Sequence, residues 1–221
     1  MDYDPSESPL VKLLLNGKNY RMAKGQMVQV FDERMMLNVV RSGYIKRYLI
    51  TDDGSQSVQS VYGPGDIFPL TPVYKSLFNR NIYRGEELFY YETITDASVC
   101  SISEATLRGA VLENTNIYRD LLYVSGERLS SNIQRLENMA LRSAHSRVAN
   151  QLAYYADKFG KKTSEGTAIS LPLTHQTLAN ILNLARETVT HSLVRLHEKG
   201  LIKVNKTITV IDVDKLRREA H

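Results

Sequence analysis

The chain has 221 residues, of which 43% are apolar, with a single cysteine and a formal net charge of +4. That length holds one large domain or two modest ones, and that apolar share supports a folded core rather than disorder. The lone Cys100 excludes an internal disulfide and a cysteine-ligated iron–sulfur cluster within one chain, and no stretch is long and apolar enough to cross a bilayer.

The start, MDYDPSESPLVKLLLNGKNY, is acidic and polar and lacks the basic region and cleavage site of a secretion signal, so a cytoplasmic protein is expected. A short helix is predicted around Leu10 to Leu15. From Tyr20 the texture changes to short runs rich in β-branched and aromatic residues: MVQVF, NVVRSGYIKRYLI, SVQSVYG, FYYETI and ASVCSIS. Asp53-Gly54 is a hairpin signal, and Gly25, Gly43, Gly63 and Gly65 punctuate the rest. This is the pattern of an all-β sandwich or barrel of about 100 residues, ending near Ser103.

A long helix is predicted from Glu104 to about Asn138, weakened only by Gly109 and Gly126. Tyr118, Leu122, Ser125, Leu129, Asn132, Leu136 and Met139 recur at alternating gaps of four and three, which is the seam of a two-stranded coiled coil. A further helix runs from Leu141 to Phe159, with Val148, Leu152, Tyr155 and Phe159 as its inward stripe. Arg142 and Arg147 lie near its start, facing either DNA phosphate or solvent. GKKTSEGT reads as a polar turn and AISLPL as a short strand.

The stretch from Leu171 to Ile202 reads as two helices joined by a tight turn. Thr174 is an N-cap, and Leu178, Ile181 and Leu182 share one face. Asn183 tolerates the left-handed conformation and ends the run. A second helix from about Arg186 to Lys199 turns Val189, Leu193 and Leu196 inward, with Gly200 just past its end. Its outward groups, Arg186, Glu187, Thr190, His191 and Arg195, are those that reach base edges and phosphates. After Gly200, LIKV and TITVID pair across Asn205-Lys206 as a hairpin wing. Charge follows the same division: from Met139 onward there are 13 Lys and Arg against 7 Asp and Glu, and before it 15 against 17. A local basic excess favours a polyanion, although surface charge of this size also serves solubility.

LTHQTLANILNLARETVTHSLVRLHEKGLI resembles the DNA-binding signature of the Crp/Fnr family of bacterial transcription regulators. Leu173, Thr174, Gln176, Leu178, Ala179, Leu182, Leu184, Arg186, Glu187, Thr188, Val189, Leu193, Leu196, Gly200, Leu201 and Ile202 stand where that pattern expects them. The family's recognition helix carries an R-E-T-V-x-R run. Here it is Arg186-Glu187-Thr188-Val189-Thr190-His191, so histidine replaces the last base-reading arginine. SGYIKRYLITDDGSQSVQSVYGPGDIF is similar to the same family's effector domain.

The resemblance implies an α+β chain in three parts. Residues 1–104 would form a double-stranded β-helix (jelly-roll) effector-like domain, 105–139 a dimerisation helix, and 140–221 a winged helix-turn-helix. It also implies a homodimer on a roughly palindromic operator, with RNA polymerase as a further partner if the protein activates. Thr174 and Gln176 would contact phosphate, and Arg186, Glu187, Thr190, His191 and Arg195 would face the groove.

Members that bind cyclic nucleotide hold its phosphate with an Arg-Ser/Thr pair. This chain has Glu87-Leu88 about where that pair falls, and Arg80 and Arg84 are wrongly spaced, so cyclic nucleotide is not expected as a cofactor. Phe68, Tyr83, Phe89, Tyr90 and Tyr91 form either a pocket for an unknown small apolar effector or core packing where a nucleotide pocket has closed. The histidines lack the spacing of a metal site, and no nucleophile elbow or phosphate-binding loop is present; neither a metal nor catalytic residues are expected.

Overall fold

A computed structural model describes residues 8–28, 36–78 and 88–220. It divides into two compact units, residues 1–49 with 59–130, and residues 50–58 with 131–221.

In the first unit, helix α1 (Pro9–Leu15) is capped by Ser8, whose Oγ accepts from Val11 N, and begins with a proline where no N–H is needed. Its start rests on Asp120, a fully buried carboxylate that accepts from Ser8 Oγ at 2.6 Å and from Leu10 N at 3.0 Å. The strands are β1 (Lys18–Met22), β2 (Met36–Ser42), β3 (Ile45–Ile50), β4 (Gln56–Tyr62) and β5 (Ile67–Phe68), then, after helix α2 (Thr71–Phe78), β6 (Tyr90–Thr93) and β7 (Ala97–Ser103). They form two sheets, in the orders β1-β7-β2-β5 and β4-β3-β6. Alternation along β2 explains two core clusters. Leu37 and Val39 pack with Leu10, Leu14 and Leu107, whereas Val40 packs with Tyr62, Phe68, Tyr91 and Val99. At the β2–β3 turn Gly43 has φ 81°, and a Cβ there would collide with the Asp96 carbonyl.

An N-terminal β-sheet domain, a long helix and a C-terminal helix-turn-helix with a wing make up the α+β architecture. Among the described residues the two sheets are open, and no strand pairing closes them into a barrel. The MVQVF run is described only to Val28, and Met27 makes an isolated bridge to Glu92.

The helix expected to run unbroken from Glu104 is two helices, α3 (Glu104–Glu113) and α4 (Asn116–Ala140). Asn114 breaks it. Its backbone is extended (φ −138°, ψ 99°) and its Oδ1 accepts from Asn116 N at 3.1 Å, the local side-chain bond that competes with helix. Gly109 and Gly126 are both tolerated inside helices.

In the second unit, α5 (Ala144–Phe159) is capped by Ser143 and buries Val148, Leu152 and Tyr155. Then come β8 (Gly160–Thr163), β9 (Gly166–Ile169), α6 (His175–Leu182), α7 (Arg186–Glu198), β10 (Ile202–Val204), β11 (Ile208–Val210) and α8 (Val213–Ala220). The supposed polar turn GKKTSEGT is thus a β-hairpin, and it joins the wing in one antiparallel sheet ordered β10-β11-β9-β8. Helix α8 is not apparent from the sequence pattern. Asp212 caps it, Oδ1 accepting from Lys215 N at 3.0 Å, and Leu216 and Ala220 bury its inner face.

Candidate nucleic-acid interface

The helix-turn-helix is built from local signals. Thr174 Oγ1 accepts from Thr177 N at 3.0 Å, satisfying one free donor of α6. Leu178, Ala179, Ile181 and Leu182 bury its inner face. The helix ends at Asn183, which takes the left-handed conformation (φ 50°, ψ 53°) and bonds its N–H to Ala179 O. Arg147 on α5 donates to the Leu182 carbonyl, so it braces the turn from beneath. That interaction decides between the two sequence readings of Arg147 in favour of neither: it faces the protein.

Helix α7 seats itself through Val189, Leu193 and Leu196, all buried. Burial of each such side chain contributes about 2 kcal/mol. Arg186, Glu187, His191 and Arg195 are exposed. Glu187 and His191 are one turn apart at the centre of the exposed face, while Arg186 and Arg195 fall on its opposite edges. Val194 completes the central row and is 50% exposed. The same periodicity that exposes His191 could have revealed it, but a valine there reads as core. An apolar group at that place can meet a thymine methyl.

Thr190 is half-buried and already has partners within the protein. Its hydroxyl donates to Arg186 O at 3.0 Å and lies 2.9 Å from His175 Nδ1. Gln176 Nε2 donates to Asn180 Oδ1 at 2.7 Å. Thr174, His175, Gln176 and Arg186, with Asn205, Lys206 and Thr207 of the wing, line a groove of about 580 Å³. His175 and Lys206 were absent from the expected phosphate contacts. They could be placed only once the sheet had brought the wing against the helix starts.

Beneath the far end of α7, Lys199 and His145 both bond Glu219 of α8, the latter at 2.9 Å. The hydrogen bond from Lys199, then that from His145, holds the Glu219 carboxyl below the usual carboxylate range.

The expected dimer residues lie along one side of α4. Tyr118, Leu122, Leu129, Asn132, Leu136 and Met139 are exposed, and Ser125, half-buried, donates to Leu121 O at 2.7 Å. The aromatic group divides. Phe68 and Tyr91 are buried and stack with Tyr62 in the core, with ring centroids 4.8–6.1 Å apart. Phe89 is half-buried under the Arg47 guanidinium, Tyr90 is exposed and stacks on Tyr48, and Tyr83 lies outside the described residues. Arg80, Arg84 and Glu87 lie outside them too. A cavity of about 720 Å³ in the first unit lies against β1, β7 and β2, lined by Lys18, Tyr20, Met22, Met36, Asn38 and Ser101 among others. Among the described residues no group of three or more His, Cys, Asp or Glu could hold a metal ion, and no helix is long and apolar enough to cross a membrane.

Residues 146–219 match the family model of the Crp-like helix-turn-helix domain. The chain is 25% identical over 185 residues to the CRP-like cAMP-activated global transcriptional regulator of Mycobacterium tuberculosis, covering 83% of this chain and 79% of the relative. Its fold is similar to that of a CooA mutant from Carboxydothermus hydrogenoformans, with a TM-score of 0.74 at 20% identity over 95% of this chain and 90% of the other. It is similar also to FixK2 from Bradyrhizobium japonicum, with a TM-score of 0.73 at 20% identity over 91% and 96%. The signature helices, the wing and a similarity spanning most of the chain agree: residues 146–219 are a Crp-like helix-turn-helix domain, and the chain is similar over most of its length to DNA-binding transcription regulators of the Crp/Fnr type.

Proposed function

We propose that the protein acts as a homodimer, recognises a roughly palindromic operator, and does so without cyclic nucleotide. The observation that carries the reading is the exposed face of α7, where Arg186, Glu187 and His191 stand clear of the protein above a buried Val189-Leu193-Leu196 seam. Arg186 presents a planar fork that matches the two acceptors of guanine, and Glu187 accepts from a cytosine amino group or orients Arg186. His191, shorter than the family's arginine, donates one hydrogen bond or packs on a thymine methyl.

Dimerisation through α4 is supported by the apolar stripe from Tyr118 to Met139, most of which is exposed among the described residues. Two-fold symmetry then places the two α7 helices in successive major grooves, with half-sites about one helical turn apart. The two sheets of the first unit are read as the halves of a jelly roll, and the cytoplasm as the site of action. Independence from cyclic nucleotide rests on Glu87-Leu88 standing where the family's phosphate-binding pair would lie. Occupancy of a promoter suffices for repression; activation adds RNA polymerase as a partner.

A second reading, a metabolite sensor whose β-domain ligand switches DNA binding, is favoured by the 720 Å³ cavity against β1, β7 and β2.

Selection from a randomised operator, at fixed salt, tests the base-reading assignment. Arg186→Ala should lose preference at one base pair in each half-site, by about 1–3 kcal/mol. His191→Arg should move the preferred half-site toward guanine at its contact position. An unchanged selected sequence for Arg186→Ala, with only a lower overall affinity, would remove α7 from the base-reading role.

A further inference from the structure

We propose that His175 is a proton-linked clamp for a backbone phosphodiester of the DNA, seated in the groove between the starts of α6 and α7 and the wing. The inference rests on the DNA-binding reading above and adds a residue and a proton to it.

The hydrogen-bond geometry sets the tautomer. Thr190 has one hydroxyl proton, and its oxygen lies 3.0 Å from the Arg186 carbonyl, a group that can only accept. The proton therefore goes to Arg186 O. His175 Nδ1, 2.9 Å from the same hydroxyl, must then be the donor in that pair. This leaves Nε2, which makes no hydrogen bond to any described residue. In the neutral ring with its proton on Nδ1, Nε2 carries a lone pair and repels a phosphate oxygen. In the imidazolium both nitrogens donate, so Nε2 can bond the phosphate while Nδ1 stays on Thr190.

The groove suits that ligand. Its charged lining groups besides the histidine are Arg186 from α7 and Lys206 from the wing, and no carboxylate lines it. The two cations attract a phosphodiester into the groove, and its negative charge favours the imidazolium beside it. The neighbouring polar groups are already engaged: Thr174 Oγ1 accepts the cap hydrogen bond, and the Gln176 amide nitrogen is held by Asn180. Binding of the backbone thus takes up a proton at His175. The sign follows: the contact is fully formed at the acid end of the range and is lost as pH rises.

The test is fluorescence anisotropy of the full chain with two labelled duplexes of equal length, one selected as operator and one scrambled. Titrations run from about pH 6 to about pH 8 at fixed ionic strength. Wild-type affinity should fall roughly three- to tenfold across that range, by the same factor on both duplexes, because a phosphate contact reads no sequence. His175→Gln, which keeps a neutral donor, should flatten that dependence while leaving the order of preference between the duplexes intact. Thr190→Val should also reduce it, since the ring loses its partner. Equal slopes for wild type and His175→Gln overturn the clamp, as does a His175→Gln protein that binds more weakly with an unchanged slope. Absence of DNA binding at every pH would overturn the DNA-binding reading itself, a result distinct from pH-independent binding.

Discussion

Asn183 shows how much one residue carries at the turn of the helix-turn-helix. A side chain with a Cβ at φ 50° is strained by about 1 kcal/mol unless its polar atoms offset it, and asparagine does so better than most. Asn183→Ala should therefore be about 1 kcal/mol less stable than Asn183→Gly. Both variants lose the hydrogen bond that Ser57 Oγ donates to Asn183 Oδ1 at 2.7 Å, so their difference isolates the backbone. Urea unfolding of the two proteins measures it, and equal midpoints would mean the turn relaxes elsewhere. Thr174 holds the other end of the same helix.

At the scale of an element, α4 presents two faces with opposite fates. Ile117, Asp120 and Leu121 are buried within the first unit, and Asp120 secures the start of α1 there. The opposite stripe leaves Leu122 74% and Leu129 61% exposed, a cost that a second copy of the helix would remove. Ser125 and Asn132 weaken such a seam and fix its register. Leu129→Asp would place two carboxylates against each other in the seam, which is costly without partners. The variant should be monomeric at micromolar concentration and the wild type dimeric, as read by light scattering. A wild-type monomer under the same conditions would dispose of the coiled-coil dimer.

For the whole molecule, the charge distribution and the effector question belong together. The basic excess lies in the segment that carries the helix-turn-helix, where long-range attraction favours a polyanion such as DNA. The first unit offers no matching arginine pair in sequence for a cyclic phosphate. Cyclic AMP should neither bind, by calorimetry, nor increase affinity for an operator duplex. Micromolar binding would overturn this, and with it the independence from cyclic nucleotide.

The C-terminal reading was available from sequence because its determinants are short-range. Thr174, Asn183 and Gly200 each act on backbone within a few residues, and the Leu178 and Leu193 faces repeat within single helices. The stripe on α4 was legible for the same reason, since heptad spacing is a local property. Asn114 shows the limit: its side chain breaks a helix that periodicity alone would continue. The β8–β9 hairpin became visible only as part of a sheet with the wing, because Lys161, Lys162 and Thr163 carry little apolar alternation and take their strand geometry from β9. Whether Phe68 and Tyr91 line a pocket or fill a core could not be read from their identity. An aromatic ring suits either; that these two are buried against Tyr62 from another strand is visible only in the fold. The bridge from His175 to Thr190 joins residues fifteen apart on two helices, and Arg147 reaches the Leu182 carbonyl from a third. Contacts of that kind depend on how helices cross, which is set by side-chain packing across the whole unit and leaves no periodic trace in the chain.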